Sequence, residues 1–186
     1  MKRLVCLLLC FIFVFSFTAC GKDDKKENKN GIDIEYYAKL GQMPELNYPL
    51  GTDVEKVKNE LSAAAESEEG EHSVYSVTEG ENNVLIDNGE VCYYYKKANP
   101  EKGISYIVNY GKAYGFEIGT VSLEIKEALK EFNPVEEPLT EENAFFMFGV
   151  ESGSIIKCSF DENTVLFVFN ENALCATAIY VSKEWE

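Results

Sequence analysis

The sequence predicts an α+β fold of two tandem units, each a helix plus four antiparallel strands, with the helices on one face of the sheet. Two observations predict it. A segment beginning at Gly51-Thr52 aligns with one beginning at Gly119-Thr120 at a constant offset of 68 residues, and Gly, Thr, Lys and Leu coincide. After each segment come short apolar runs separated by turn residues. Because a sheet with one buried face needs cover, we expect the helices on that face.

The composition fits a globular protein and argues against one class of partner. The chain has 186 residues, 46% of them hydrophobic, and a formal net charge of −15. No arginine follows Arg3, so the mature chain has no guanidinium group for bidentate contacts. Binding to a phosphate backbone relies on basic side chains that displace counterions. We therefore expect no nucleic acid partner.

Residues 1–19 are predicted to be a lipoprotein signal peptide. Lys2 and Arg3 precede residues 4–17, a run of fourteen positions that are all apolar or Cys except one. This run is shorter than the roughly 20 residues of a membrane span and suits a signal peptide. Residues 17–21, Phe-Thr-Ala-Cys-Gly, resemble the lipobox of bacterial lipoproteins. The resemblance implies cleavage before Cys20 and a diacylglycerol thioether on its sulfur. The alternative is an ordinary signal peptide cleaved at the same bond, with Cys20 incidental.

Residues 20–31 are predicted to be a disordered tether. Residues 21–30 contain no apolar side chain, so nothing in them offsets the entropy of ordering. A solvated segment of this kind holds a folded domain away from a membrane surface. With a lipid on Cys20, we expect the chain to be anchored to a cell membrane and to face outside the cytoplasm.

Three cysteines remain in the part that is predicted to fold: Cys92, Cys158 and Cys175. No two of them form a C-x-x-C pair and their number is odd, so neither a disulfide framework nor a zinc site is indicated. All three lie in apolar runs, where cysteine behaves as a small buried residue. One disulfide remains an open alternative in an exported protein. No metal and no cofactor are expected.

The first unit is predicted to span residues 32–115. It opens with a short helix over residues 32–40. Thr52 is the expected N-cap of the next helix, and Glu55 completes a capping box.

The pair Asn88-Gly89 predicts a hairpin with a two-residue turn, because these residues supply the positive φ angles of a type I′ turn. In that register Ile86 lies beside Val91, on the face that meets the helices. Tyr94 is then expected on the uncovered face.

The second unit is predicted to span residues 116–186. Thr120 is the expected cap of its helix, and Asn133-Pro134 ends that helix. Strands are expected over residues 144–150, 154–160, 164–170 and 174–182. In the third of these, Phe167 and Phe169 alternate with other apolar residues, and the sequence leaves open which set faces outward.

The segments at Gly51 and Gly119 also resemble the β-lactamase-inhibitory-protein and BamE-like group. Members are small exported or lipid-anchored proteins in which a G-[ST]-x-x-x-[VI]-x-x-x-[LF] segment precedes an antiparallel sheet, sometimes in tandem. The resemblance covers about residues 46–186. It implies an exported protein with helices beside antiparallel sheets.

The residues of the common catalytic mechanisms are sparse. His72 is the only histidine and lies in an acidic stretch, which does not favour the fixed position that a general base needs. Acidic groups occur in residues 66–72, 136–137, 141–142 and 161–162. None has the spacing of a calcium loop, and clustered acids in turns are usually solvated.

The sequence therefore predicts a lipoprotein that binds a protein or a cell-wall component without catalysis. The membrane contact is the lipid on Cys20, and the candidate binding face contains Tyr94, Phe167 and Phe169, since aromatic residues supply contact area at low entropy cost. The alternative is a carboxylate-dependent hydrolase that acts on the cell envelope. A solute receptor with two lobes is disfavoured by the small number of residues left to fold.

Overall fold

The computed structural model describes residues 31–67, 74–140 and 152–185. Its α-helices are α1 (Ile34–Lys39), α2 (Val54–Ser67), α3 (Ser122–Leu129) and α4 (Ser182–Trp185). Its strands are β1 (Ser76–Glu79), β2 (Asn83–Asp87), β3 (Val91–Lys96), β4 (Tyr106–Asn109), β5 (Val135–Pro138), β6 (Ser154–Phe160), β7 (Asn163–Asn170) and β8 (Ala173–Val181). Single 3₁₀ turns cover Pro100–Lys102 and Lys130–Phe132. Within the described ranges, no helix has the length and apolarity needed to cross a membrane.

The eight described strands form one antiparallel sheet in the order β1-β2-β3-β4-β8-β7-β6-β5. The N-terminal and C-terminal strands meet where β4 pairs with β8. There Tyr106 lies opposite Tyr180, and Asn109 lies opposite Thr177. The outer edges of the sheet are β1 and β5.

The predicted fold class, two tandem units that each contain a helix and four strands with the helices on one sheet face, is wrong. A single eight-stranded sheet runs through the described chain, and the helices beside it are few and short. If the two halves folded apart, β4 and β8 would each leave a row of backbone groups unpaired. Their pairing satisfies both rows. It joins residues far apart in the sequence, so local patterns do not reveal it.

The sequence also fails to predict the two edge strands. All four residues of β1 are exposed, and so are all four of β5. Without a buried face, neither strand shows the apolar alternation by which strands are recognised. The strand expected over residues 144–150 lies outside the described residues.

The hairpin at Asn88-Gly89 has the predicted faces in a different register. Ile86 pairs with Tyr93 rather than with Val91. The backbone N–H of Asn88 donates to the carbonyl of Val91 at 3.2 Å, and the N–H of Val91 donates to the Asn88 side chain at 2.7 Å, so the turn lies one residue further along the chain than predicted. The pairing shifts by two residues, and an even shift leaves every side chain on its original face.

The two segments aligned in the sequence share a local conformation. The hydroxyl of Thr52 donates to the carbonyl of Pro49 at 2.6 Å, and that of Thr120 donates to the carbonyl of Glu117 at 2.7 Å. The glycine before each threonine has a positive φ, 80° in one case and 91° in the other. Only glycine adopts this conformation readily, which explains why the residue occurs in both segments.

Neither threonine caps its helix as predicted. At the start of α2, Asp53 accepts from the backbone N–H of Lys56 at 2.8 Å. At the start of α3, no side chain makes a capping hydrogen bond. The hydroxyls of Thr52 and Thr120 are instead committed to the preceding turn, so the next residue along the chain borders the helix.

The sheet separates two apolar clusters. The first cluster lies on the face that also receives buried side chains from α1, α2 and α3, and it includes Ile34, Val57, Tyr114, Ile125, Phe167 and Phe169. The second cluster lies on the opposite face and includes Cys92, Tyr94, Tyr106, Val108, Val168, Ala178 and Tyr180. Both faces of the central strands are therefore buried, so the aromatic residues predicted to bind a partner need to be located individually.

Candidate functional site

The aromatic residues predicted to form a binding face are buried. Phe167 and Phe169 have an exposed fraction of 0% and lie in the first cluster. Tyr94 lies on the opposite face, where it is 5% exposed. The structure corrects the prediction, because these side chains offer no open surface. Strand β7 packs into an apolar cluster on each of its faces, so its aromatic residues serve the core.

Tyr94 belongs to a group of aromatic rings beneath the C-terminal helix α4, which we call the tyrosine cluster (Tyr94, Tyr106 and Tyr180). Tyr106 stacks on Tyr180 with ring centroids 5.0 Å apart, and it meets Tyr94 edge to face at 5.8 Å. Trp185 packs edge to face against Tyr106 at 5.1 Å. Each such pair contributes about 0.5–1.5 kcal/mol beyond the area it buries. These contacts hold α4 against the second face of the sheet.

The other residues singled out in the sequence do not converge. Cys20, His72 and the pair at residues 141–142 lie outside the described residues. Glu136 and Glu137 are on the edge strand β5, and residues 161–162 form the turn between β6 and β7. Across the part of the chain that the structure describes, no group of three or more His, Cys, Asp or Glu is placed to hold a metal ion.

The three cysteines of the folded part are free thiols, and two of them are buried. Burial raises the pKa of Cys92 to about 12 and that of Cys158 to about 11. Since the thiolate is the nucleophilic form, neither residue is suited to covalent chemistry near neutral pH.

The site that stands out is a concave surface at the end of the sheet where β3 ends and where β8 leads into α4. It encloses about 550 Å³. Four of its side chains are lysines, and only two are acidic. We call it the lysine pocket; its lining residues are Glu81, Asn82, Lys96, Lys97, Ala98, Asn99, Lys102, Lys183 and Glu184.

Two of the pocket lysines form ion pairs at its rim. Lys97 donates to the carboxylate of Glu79 at 2.8 Å, and Lys102 donates to that of Glu184 at 3.0 Å. Lys97 lowers the pKa of Glu79 by donating this hydrogen bond. Among the ion pairs of the described residues, none includes Lys183, so its ammonium group is open to a ligand.

The fourth lysine connects the pocket to the tyrosine cluster. The ammonium group of Lys96 lies 3.6 Å from the centroid of the Trp185 ring, a cation–π contact. The indole N–H of Trp185 donates to the buried hydroxyl of Ser105 at 3.1 Å. Partial burial lowers the pKa of Lys96, and the charge of Glu184 opposes that shift. Trp185 is thus fixed between the pocket and the cluster.

This arrangement is suited to binding an anion. Lysine ammonium groups are point charges on flexible stems, and the amides of Asn82 and Asn99 add neutral donors. Sequence reasoning missed the site, because Lys183 joins the other three lysines only through the pairing of β4 with β8. The adjacent Lys96-Lys97 and nearby Lys102 were the only local signal in an otherwise acidic chain.

The chain was compared with protein-family models, with curated proteins and with solved structures, and no match was found in any of the three.

Proposed function

We propose that the chain is a lipid-anchored lipoprotein that faces outside the cytoplasm and binds an anionic protein or cell-envelope component through the lysine pocket, without transforming it. One observation carries the proposal. In a chain of net charge −15, four lysines and two glutamates line one concave site, and a third glutamate, Glu79, is paired with Lys97 at its rim. Convergent polar groups in a concavity are the usual form of a binding site.

The state of the lysines favours binding over catalysis. A catalytic lysine is an unpaired amine whose pKa is lowered toward neutrality by desolvation or by a neighbouring cation. Lys96 has a lowered pKa, but its ammonium group is held against the Trp185 ring. The side chain of Lys102 is 54% exposed and its ammonium group is paired with a carboxylate. Lys97 is likewise paired with Glu79, so these three lysines are well placed to attract an anion and none of the three is a free amine nucleophile.

The membrane anchor supplies the second part of the proposal. Replacing Cys20 with alanine removes the sulfur that would carry the lipid, and we expect the protein to move from the membrane fraction to the soluble extracytoplasmic fraction. Fractionation of cells followed by immunoblotting measures this shift. Cys175→Ala, which removes a different cysteine, is the matched control and should leave the protein with the membrane. Membrane retention of the Cys20→Ala variant would contradict the anchor.

The binding site itself can be mapped in intact cells that export the chain. We expect brief acetylation to modify Lys183 and Lys97 several-fold more slowly in cells than in the purified protein, because a bound partner covers them. Lys56 and Lys112 are exposed lysines outside the pocket and should react equally in both samples. Mass spectrometry of the digested protein gives the ratio at each position. Equal labelling at all four lysines would show that the pocket is unoccupied in the cell.

A further inference from the structure

The lysine pocket already holds one anion, which is part of the chain itself. The carboxylate of Glu184 lies 3.0 Å from the ammonium group of Lys102. The Glu184 side chain is only 16% exposed, although Lys102 is more than half exposed. Helix α4 therefore turns an acidic side chain into the pocket, and the neighbouring Trp185 fixes the helix on the tyrosine cluster.

We propose that the lysine pocket binds a multiply charged phosphate group of the envelope component, which replaces Glu184 on Lys102. This inference rests on the proposed binding function and adds the ligand chemistry. The internal carboxylate marks the position where an external anion gains a charge-assisted hydrogen bond. Lys183 lines the same concavity and provides a second contact for the same ligand.

The ligand needs several charges, because each single contact with a pocket lysine is weak. A single ion pair at an exposed lysine contributes little, because water and salt screen it. A ligand with several phosphates can contact Lys102, Lys183 and Lys97 together. At physiological ionic strength, charges more than about 8 Å away are largely screened. The local balance is then four lysines against the carboxylates of Glu79, Glu81 and Glu184, which leaves the site net positive.

The geometry of the donors favours phosphate over carboxylate. Arginine binds carboxylate and phosphate alike through two parallel hydrogen bonds, so its absence after Arg3 favours neither, and the choice depends on what lysines bind as point charges. A phosphate ester carries about two charges and three acceptor oxygens, which suit lysines arriving from different directions. The volume of about 550 Å³ lies in the range of sites for small ligands.

Trp185 gives a direct readout, since it is the only tryptophan in the chain and lies under the pocket residue Lys96. Tripolyphosphate is titrated into the purified chain at constant ionic strength while tryptophan fluorescence is recorded. We expect a saturable change, with citrate binding at least about threefold more weakly. A linear response, or citrate binding as tightly as tripolyphosphate, would overturn the proposal.

Two pairs of variants test the competition with Glu184. The dissociation constant for tripolyphosphate should be about threefold lower for Glu184→Gln than for Glu81→Gln. Glu81→Gln is the control because it removes a carboxylate from the same pocket without freeing Lys102. Lys183→Gln should weaken binding by about threefold or more, whereas Lys112→Gln outside the pocket should not. Equal effects within either pair would contradict the proposal. Melting temperatures of all four variants confirm that each is folded.

A last measurement identifies the source of the phosphate. It also distinguishes a failure of the ligand class from a failure of the binding function. A fluorescence change with phosphatidylglycerol vesicles but not with tripolyphosphate would assign the pocket to the headgroups of a lipid surface and overturn the multiply phosphorylated ligand. If tripolyphosphate fails to bind while Lys183 is still protected in cells, the ligand class is wrong and the binding function stands.

Discussion

Replacing Phe167 with alanine is expected to lower the free energy of unfolding by about 3–5 kcal/mol, the usual range for a buried aromatic side chain. Phe167 has no exposed surface. Its ring packs edge to face against Phe116 with centroids 5.8 Å apart, and its centroid lies 6.2 Å from that of Tyr114. Truncation leaves a cavity in the middle of the first cluster that the surrounding strands cannot fill. Urea denaturation of the purified protein, followed by circular dichroism, measures the change.

Leu123→Ala is the matched control for Phe167→Ala. Leu123 is a large apolar residue of α3 that is 74% exposed, so its truncation should change the free energy of unfolding by less than about 0.5 kcal/mol. The two variants also separate a core role for Phe167 from the role in binding that the sequence suggests. If Phe167→Ala weakened binding and left stability unchanged, the burial described above would be contradicted.

The faces of the two strands beside Asn88-Gly89 could be predicted from the sequence, and the pairing of the two halves of the sheet could not. Alternation placed Ile86 and Tyr94 on opposite faces of the sheet, and the structure confirms this. Alternation is a local property, set by successive side chains pointing in opposite directions. Which strand lies beside β4 depends instead on the free backbone edge of β8, and no short motif encodes that partner.

The same limit explains the error about the aromatic residues. An apolar run such as residues 164–169 has the same appearance whether one face or both faces are covered. The prediction of an aromatic binding face requires one face of the sheet to be uncovered. Covering of the second face comes partly from Trp185, in a helix of only four residues at the end of the described chain. A helix that short has no periodic pattern by which it could be predicted.

The candidate site escaped prediction for a related reason. Lys96, Lys97 and Lys102 lie close together in the sequence, and Lys183 lies far from them. Only the single sheet, in which β4 lies between β3 and β8, brings the ends of β3 and β8 to the same side of the molecule. The sequence predicts binding without catalysis and assigns that binding to aromatic rings. The structure puts those rings in the core and leaves charged side chains at the surface.

Reversing the charge of two pocket lysines is the change with the largest expected effect on binding. Lys97→Glu combined with Lys183→Glu replaces two attractive charges with two repulsive ones at the rim of the pocket. We expect the affinity for isolated cell envelopes to fall by at least about tenfold. The matched control is Lys112→Glu combined with Lys56→Glu. This control changes the net charge by the same amount. Like the test variant, it replaces one ion-paired lysine, Lys112, and one unpaired exposed lysine, Lys56, but both lie outside the pocket.

Sedimentation of the purified variants with envelopes from the cell that produces the chain is the most direct test of whether the lysine pocket is the binding site. The account predicts saturable binding by the parent protein and by the Lys112→Glu/Lys56→Glu control, and at least tenfold weaker binding by the Lys97→Glu/Lys183→Glu variant. Equal binding by the two double variants, both shown to be folded by circular dichroism, would contradict it.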